Sequence, residues 1–305
     1  MAAIETRSLT KQFGALHAVR DVSFRVERGE VFGFLGPNGA GKSTTINVLL
    51  DFVRRTSGEV SVLGYDPEED PRAVRERIGV LPEATGFYGR DTARDHLRFA
   101  VEMKRTDDDP DDLLERVGIA DAADRPVGGF SKGMRQRLGL AVALVGDPDL
   151  LVLDEPLSGL DPSGARILRE IVREERDRGA AVFFSSHIMD QVEAICDRVG
   201  IMHDGELVAA ETVETLRKRT DVPARVDLAV ESVPDGIADD LAALDGVADA
   251  TIRDGSVRVA CADPTAKAAA VARLDAAGVT VRDVETESPS LEQVFVRITD
   301  GATDP

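Results

Sequence analysis

Gly36-Pro-Asn-Gly-Ala-Gly-Lys-Ser-Thr44 decides the fold. Just before it, Val31-Phe-Gly-Phe-Leu35 is a short apolar run that predicts a buried strand. Just after it, residues from about Lys42 to Phe52 predict a helix. A strand, a turn of the form G-x-x-x-x-G-K-[ST] and a helix, in that order, let backbone N–H groups close round a phosphate. Gly36, Gly39, Ala40 and Gly41 are small enough for the backbone to approach, and Pro37 and Asn38 complete the turn. The N–H groups from Gly39 to Thr44 and the start of the helix supply partial positive charge. Lys42 is placed to bridge the outer phosphates, and the Ser43 hydroxyl to ligate Mg²⁺.

Working outward, Leu150-Leu-Val-Leu153, Ala180-Ala-Val-Phe-Phe184 and Arg198-Val-Gly-Ile-Met202 are further continuous apolar runs. Helical patterns near 162–178 and 187–196 separate them. Strands buried on both faces read this way, so a mostly parallel sheet with helices on both sides is expected. The first run ends in Asp154-Glu155, which places two carboxylates at the C-terminal edge of the sheet, where ligands of such sheets bind. Asp154 can hold Mg²⁺ through water, and Glu155 can polarise an attacking water as general base. Residues from about 85 to 145 contain no strand pattern and predict a helical insertion, with turns at Thr106-Asp-Asp-Asp-Pro110 and Pro126-Val-Gly-Gly129. Asp204-Gly205 predicts a hairpin.

Composition shifts near Thr220-Asp-Val-Pro223, which divides the chain into expected domains at 1–220 and 224–300. The second reads as strand (224–231), helix (236–244), a hairpin around Asp254-Gly255, helix (264–277), strand (280–285) and a closing helix (290–298). This order predicts a split βαβ sandwich of the ferredoxin-like kind. It carries no catalytic constellation and reads as an accessory docking or dimerisation domain.

The chain has 305 residues, 37 basic and 56 acidic, for a net charge of −19. That balance repels nucleic acid and gains nothing from an anionic lipid surface. Six of the basic residues are lysine and 31 are arginine. The acidic excess reads either as a solvated face or as adaptation to high salt. The longest apolar-plus-glycine run, Leu138–Gly146, has nine residues, against the roughly 20 that a membrane span needs. The N-terminus shows no hydrophobic signal region. Cys196 and Cys261 form no C-x-x-C pattern and read as buried thiols, with one disulfide as the alternative.

With Phe130-Ser-Lys-Gly-Met-Arg-Gln-Arg137 between them, these motifs make the chain resemble the nucleotide-binding subunit of ABC transporters from about residue 3 to residue 215. The implied class is α/β: a P-loop NTPase with a mostly parallel sheet, antiparallel N-terminal strands and a helical insertion, followed by a small α+β ferredoxin-like domain. Phe130–Met134 stands where the family has Leu-Ser-Gly-Gly-Gln and keeps Ser131 and Gly133. The resemblance implies that these two close on the γ-phosphate of ATP held by a second copy of the chain. Leu157-Ser-Gly-Leu-Asp161 looks like the family's D-loop, putting Asp161 at that dimer interface. His187, after Ser185-Ser, matches the switch histidine at the γ-phosphate.

Two positions depart from the family pattern. Glu83 stands where a glutamine usually reaches Mg²⁺ and the lytic water, a variation that resembles drug and ion exporters. Phe13 stands where tyrosine or tryptophan usually stacks on adenine. The resemblance therefore implies an ATP-hydrolysing, Mg²⁺-dependent motor subunit. It would be peripheral at the cytoplasmic face of the membrane, dimeric, and coupled to separate permease subunits for export. The competing expectation is a soluble ABC ATPase acting on nucleic acid or ribosomes. Such relatives carry a coiled-coil insertion or two cassettes, and this chain has neither. The closing Glu287-Ser-Pro-Ser-Leu-Glu-Gln-Val-Phe295 resembles the accessory domain of export-type subunits.

Overall fold

The computed structural model describes residues 2–302 apart from 220–222, 235, 254 and 288–289. The expected linker at Thr220-Asp-Val, Asp254 of the second hairpin, and Ser288-Pro289 thus lie outside the described residues. The chain forms two compact units, 1–213 and 214–305.

In the first unit, β1 (Ala2–Phe13), β2 (Leu16–Glu27), β3 (Val31–Leu35), α1 (Lys42–Leu49), β4 (Ser57–Val62), α2 (Pro71–Arg75) and β5 (Ile78–Leu81) lead to the insertion. The insertion contains α3 (Ala93–Lys104), α4 (Pro110–Arg116) and α5 (Lys132–Leu144). Then follow β6 (Leu150–Asp154), α6 (Pro162–Arg178), β7 (Ala181–Ser186), α7 (Met189–Glu193), β8 (Arg198–His203) and β9 (Glu206–Glu211). The main sheet has the order β5-β6-β7-β3-β8-β9, parallel except for β9. A separate antiparallel sheet has the order β2-β1-β4. The N-terminal antiparallel strands, the parallel sheet and the helical insertion are all present as expected.

β3, β6 and β7 are buried at every position, which is why their sequences read as unbroken apolar runs. Phe24, Phe32, Phe34 and Phe183 stack between the sheets, with ring centroids 5.1 to 6.0 Å apart. Each such fully buried side chain contributes about 1.5–3 kcal/mol. At the end of α3, Lys104 donates to the carbonyls of Ile78 (2.8 Å) and Val145 (3.0 Å), tying the insertion to the edge of the sheet. The helical segments expected over 162–178 and 187–196 are α6 and the shorter α7. Asp204 and Gly205 both have positive φ, as a two-residue hairpin requires.

α8 (Val213–Arg219) begins at the last residue of the first unit and otherwise belongs to the second; in it Lys218 pairs with Glu214 at 2.6 Å. The second unit continues through β10 (Ala224–Val230), α9 (Ile237–Ala242), β11 (Val247–Arg253), β12 (Ser256–Cys261), α10 (Pro264–Ala276), β13 (Val281–Glu287) and α11 (Leu291–Ala302). Its sheet, β11-β12-β10-β13, is antiparallel throughout. This is the split βαβ order read from the sequence. Lys267 of α10 donates to the Thr286 hydroxyl on the edge strand. Ser290 and Gln293 exchange side-chain-to-backbone bonds at the start of α11, a capping box with glutamine as the third residue. Both cysteines are free and buried. Among the described residues, no helix is long and apolar enough to cross a membrane.

Candidate active site

The site forms where β3, β6 and β7 end side by side. The turn after β3 is the glycine-rich loop. Gly41 has φ +103°, and a Cβ there would stand 2.5 Å from the Ala18 carbonyl oxygen. A Cβ at Gly36 would meet the Met202 carbonyl oxygen at 2.4 Å. Glycine is needed at both places because main chain from β2 and β8 presses against the loop. Lys42 is buried, and its ammonium donates to the carbonyls of Gly36 (2.7 Å) and Pro37 (3.1 Å). Burial lowers its pKa, opposed by the nearby carboxylates of Glu155, Asp154 and Glu83.

Parallel pairing sets Asp154 opposite Ser185. The Ser185 hydroxyl donates to the Asp154 carboxylate and accepts the Glu155 N–H at 3.0 Å. One buried serine thus aligns both carboxylate-bearing residues. Burial raises the Asp154 pKa. The Ser185 bond opposes that shift, and the Glu83 and Glu155 charges add to it. Glu155 has φ +48°, a left-handed backbone that is strained for a side chain of this kind. This turn points its carboxylate at His187, whose Nδ1 lies 2.9 Å from Glu155 Oε1.

A cleft of about 710 Å3 lies over these strand ends. It brings together Phe13, Asn38, Gly39, Gly41, Lys42, Ser43, Thr44, Glu83, Glu155 and His187 from the sequence-derived set. Gly36, Pro37, Ala40 and Asp154 are not part of this lining; Gly36, Ala40 and Asp154 are buried and Pro37 is exposed. Phe13 is about half exposed at the rim, with the Lys11 ammonium 4.5 Å from its ring centroid. Ser131, Gly133 and Asp161 lie outside this chain's cleft lining. Ser131 caps α5 by accepting the Met134 N–H, and Asp161 caps α6 by accepting that of Gly164. His17, which carried no motif context in the sequence, lines the cleft next to Phe13.

Among the described residues, no three His, Cys, Asp or Glu side chains form a metal cage. Mg²⁺ does not need one: it keeps waters and takes one or two carboxylates together with phosphate oxygens. Ser43, Glu83 and Asp154 offer only hard oxygen donors, and burial, with a smaller contribution from the Glu83 and Glu155 charges, already disfavours the unpaired Asp154 carboxylate. The donor set fits a divalent cation.

Residues 19–158 match the model of the family described as "ABC transporter", and residues 212–299 match "ATP-binding protein DrrA1-3-like, C-terminal domain". The linearmycin resistance ATP-binding protein of Bacillus subtilis is 30% identical, covering 97% of this chain and 98% of that protein. A fluoroquinolones export ATP-binding protein of Mycobacterium tuberculosis is 41% identical over 78% of this chain and 83% of its own length. The chain belongs to the ABC transporter ATP-binding proteins. A solved ATP-binding subunit of an ABC transporter superposes on this ABC cassette with a TM-score of 0.67 and 31% identity, covering 71% of this chain and 92% of that one. The chemistry of the cassette is accordingly the binding and hydrolysis of ATP.

Proposed function

We propose that this chain is the motor of an exporter, in which two copies close on two Mg-ATP and pull on separate membrane-embedded permease subunits. The observation that supports it most is the convergence on one cleft of the phosphate loop, Glu83, and the Glu155–His187 pair at 2.9 Å. Phe13 stacks on the adenine. Gly36–Thr44 wraps the phosphates, and Lys42 exchanges its loop carbonyls for phosphate oxygens. Ser43, Glu83 and Asp154 would hold Mg²⁺, which when bound neutralises charge on the β- and γ-phosphates. Glu155 takes the proton of the attacking water, and His187 keeps that carboxylate aimed and hydrogen-bonds the γ-phosphate.

The second copy supplies Ser131 and Gly133 at the tip of its α5, and Asp161 lies along the same seam. All three lie outside the cleft lining of their own chain, as residues serving a partner would. Preference of the closed pair for ATP over ADP then drives the permease. Tyr88, Phe99 and Met103 expose large apolar surface on the insertion beside Glu83 (78, 64 and 66%), suited to a permease segment at the cytoplasmic face of the membrane. Export follows from Glu83, the C-terminal unit, and the relatives named for resistance and export.

The test is phosphate release with Mg-ATP, followed by light scattering. Wild type hydrolyses ATP, and Glu155→Gln binds it but turns over about 100-fold or more slowly. Glu155→Gln also pairs only when ATP is present. Normal turnover by that variant removes Glu155 as the base. Co-purification of nucleic acid instead of a multi-span membrane protein would favour the soluble ABC ATPase class.

A further inference from the structure

Hydrolysis as proposed above depends on a carboxylate carried by a strained peptide, and strain persists only where neighbours over-determine it. Ser185 holds the N–H of Glu155. The carbonyl side is held by α5, the helix that begins with the signature loop. Gln136, buried in that helix, donates its side-chain amide to the carbonyl oxygens of Pro156 (3.2 Å) and Glu155 (3.4 Å). One turn earlier on the same helix face, Lys132 donates its ammonium to the Ser158 hydroxyl at 2.7 Å. Its stem runs over Gly159, where an added Cβ would stand 2.6 Å from Lys132 Cδ. Between them, Gly133 lies so close that a Cβ there would come within 2.8 Å of the Gly159 carbonyl oxygen. Residues 155–159 are thus gripped along their length by one face of α5, and Ser158 lies at the wall of the nucleotide cleft.

We propose that Lys132 and Gln136 are positioning residues for ATP hydrolysis, together clamping the 155–159 segment so that the left-handed peptide of Glu155 keeps its carboxylate on the attacking water. Neither reacts with the nucleotide. Lys132 stands where the family pattern has glycine, which has no side chain to reach Ser158. In this chain the tip of α5 and the Glu155 turn therefore move as one piece, joining the helix that would serve one ATP to the base that serves the other. Loss of the grip lets the turn relax, and a displacement near 1 Å costs on the order of a hundredfold in rate.

The inference rests on the hydrolytic reading, so its test has one arm that does not need turnover. In the full-length chain, Lys132→Met keeps the stem over Gly159 and removes the ammonium, and Ser158→Ala removes its acceptor. Each is expected to lower kcat about tenfold with KM for ATP within about twofold. The double variant is expected to be no worse than either single one. Amide exchange over 155–160 speeds up in all three while β6 stays protected. Gln136→Met should loosen the same amides further; if it fails to fold, the half-exposed Lys132–Ser158 pair still decides the matter.

Turnover within about twofold of wild type, losses that add in the double variant, or unchanged exchange would overturn the clamp. So would a crippled Lys132→Met beside a normal Ser158→Ala, because the ammonium would then act on phosphate rather than on the turn. A wild-type chain that hydrolyses no ATP would defeat the motor reading, and the exchange experiment would still judge the clamp.

Discussion

The two units of this chain store charge and strain differently. Every described non-glycine residue with positive φ lies in the first unit: Ser8, Asp21, Asp51, Leu63, Arg105, Asp147, Glu155 and Asp204. The buried charged groups Glu30, Lys42, Asp154 and Glu175 lie there too, whereas among the described residues the second unit buries one polar side chain, Thr299. The second unit is a regular antiparallel sheet packed on helices by alternating Val, Leu and Ala. The difference teaches where reaction chemistry can sit. A group that must act on phosphate has to be held out of water and aimed, and both cost stability. The described residues of the second unit bury no charge, and its sheet departs from even pairing only near Val230 and between Val247 and Asp249.

The contrast is sharpest for ion pairs. Glu175 is 1% exposed and carries Arg116 at 2.7 Å and Arg178 at 2.6 Å, joining α6 to the insertion. Glu175→Leu removes the carboxylate that Arg116 and Arg178 share, leaving Arg116 with Glu174 and Arg178 with the Pro148 carbonyl, and the loss of these charge-assisted bonds is expected to cost about 3 kcal/mol, read as a fall in urea midpoint. Its counterpart in the second unit is the Asp227–Arg258 pair, with side chains 25 and 33% exposed. Asp227→Asn is expected to cost about 1 kcal/mol or less. Equal losses would break the comparison.

Next come the glycines. Gly41→Ala meets main chain at 2.5 Å in a left-handed conformation, and a loss of about 3 kcal/mol together with weak ATP binding is expected. Gly278 has φ +73° but open space around it, so Gly278→Ala should cost only about 1 kcal/mol by thermal melting. A tolerant Gly41 would mean that the loop is less crowded than the strands around it imply.

The smallest effect concerns pH. Asp66 accepts two bonds from Arg55, at 3.0 and 2.6 Å, and that partner holds its carboxyl below the usual value of 3.8. A lowered folded-state pKa adds stability above the ordinary value, and that stability is lost as pH falls through the folded one. Arg55→Met should therefore be less stable than wild type by about 1 kcal/mol near neutrality. The gap should close in denaturation curves taken below the ordinary carboxylate value. A gap independent of pH would assign the loss to packing. In the second unit, Asp263 is also lowered, by the Thr265 hydroxyl, but stands in open water; its replacement should leave the profile nearly unchanged.

The sequence was most readable where burial is complete or alternation is clean. β3, β6 and β7 are apolar at nearly every position because both faces are covered, and β10 and β12 alternate because one face is. β1 and β2 were expected only as antiparallel strands without bounds. Their alternation breaks at bulges near Ser8 and Asp21, both with positive φ, so a period of two survives only over a short stretch such as Val22–Val26. In the site, Lys42, Asp154, Glu155 and His187 announced themselves by spacing. Ser185 was visible only as a neighbour of His187, because its role depends on the register between β6 and β7. His17 carries no signal in the sequence, because the pairing of β2 with β1 opposite Gln12 is what brings it to the cleft. Gln136 stands within Arg135-Gln-Arg137, but its burial against the turn after β6 is a matter of packing, which no local pattern encodes.

The scarcity of lysine has a practical side. Each of the six side-chain amines has its own position: Lys11 over Phe13, Lys42 in the loop, Lys104 at the join of insertion and sheet, Lys132 on Ser158, Lys218 beside Glu214 and Lys267 on Thr286. Thirty-one arginines carry the remaining positive charge and are silent to acylating or alkylating reagents aimed at primary amines. The protein thus comes with a sparse set of built-in tags, one for each of several mechanical joints. Their relative reactivities would follow the opening and closing of those joints without any engineered label.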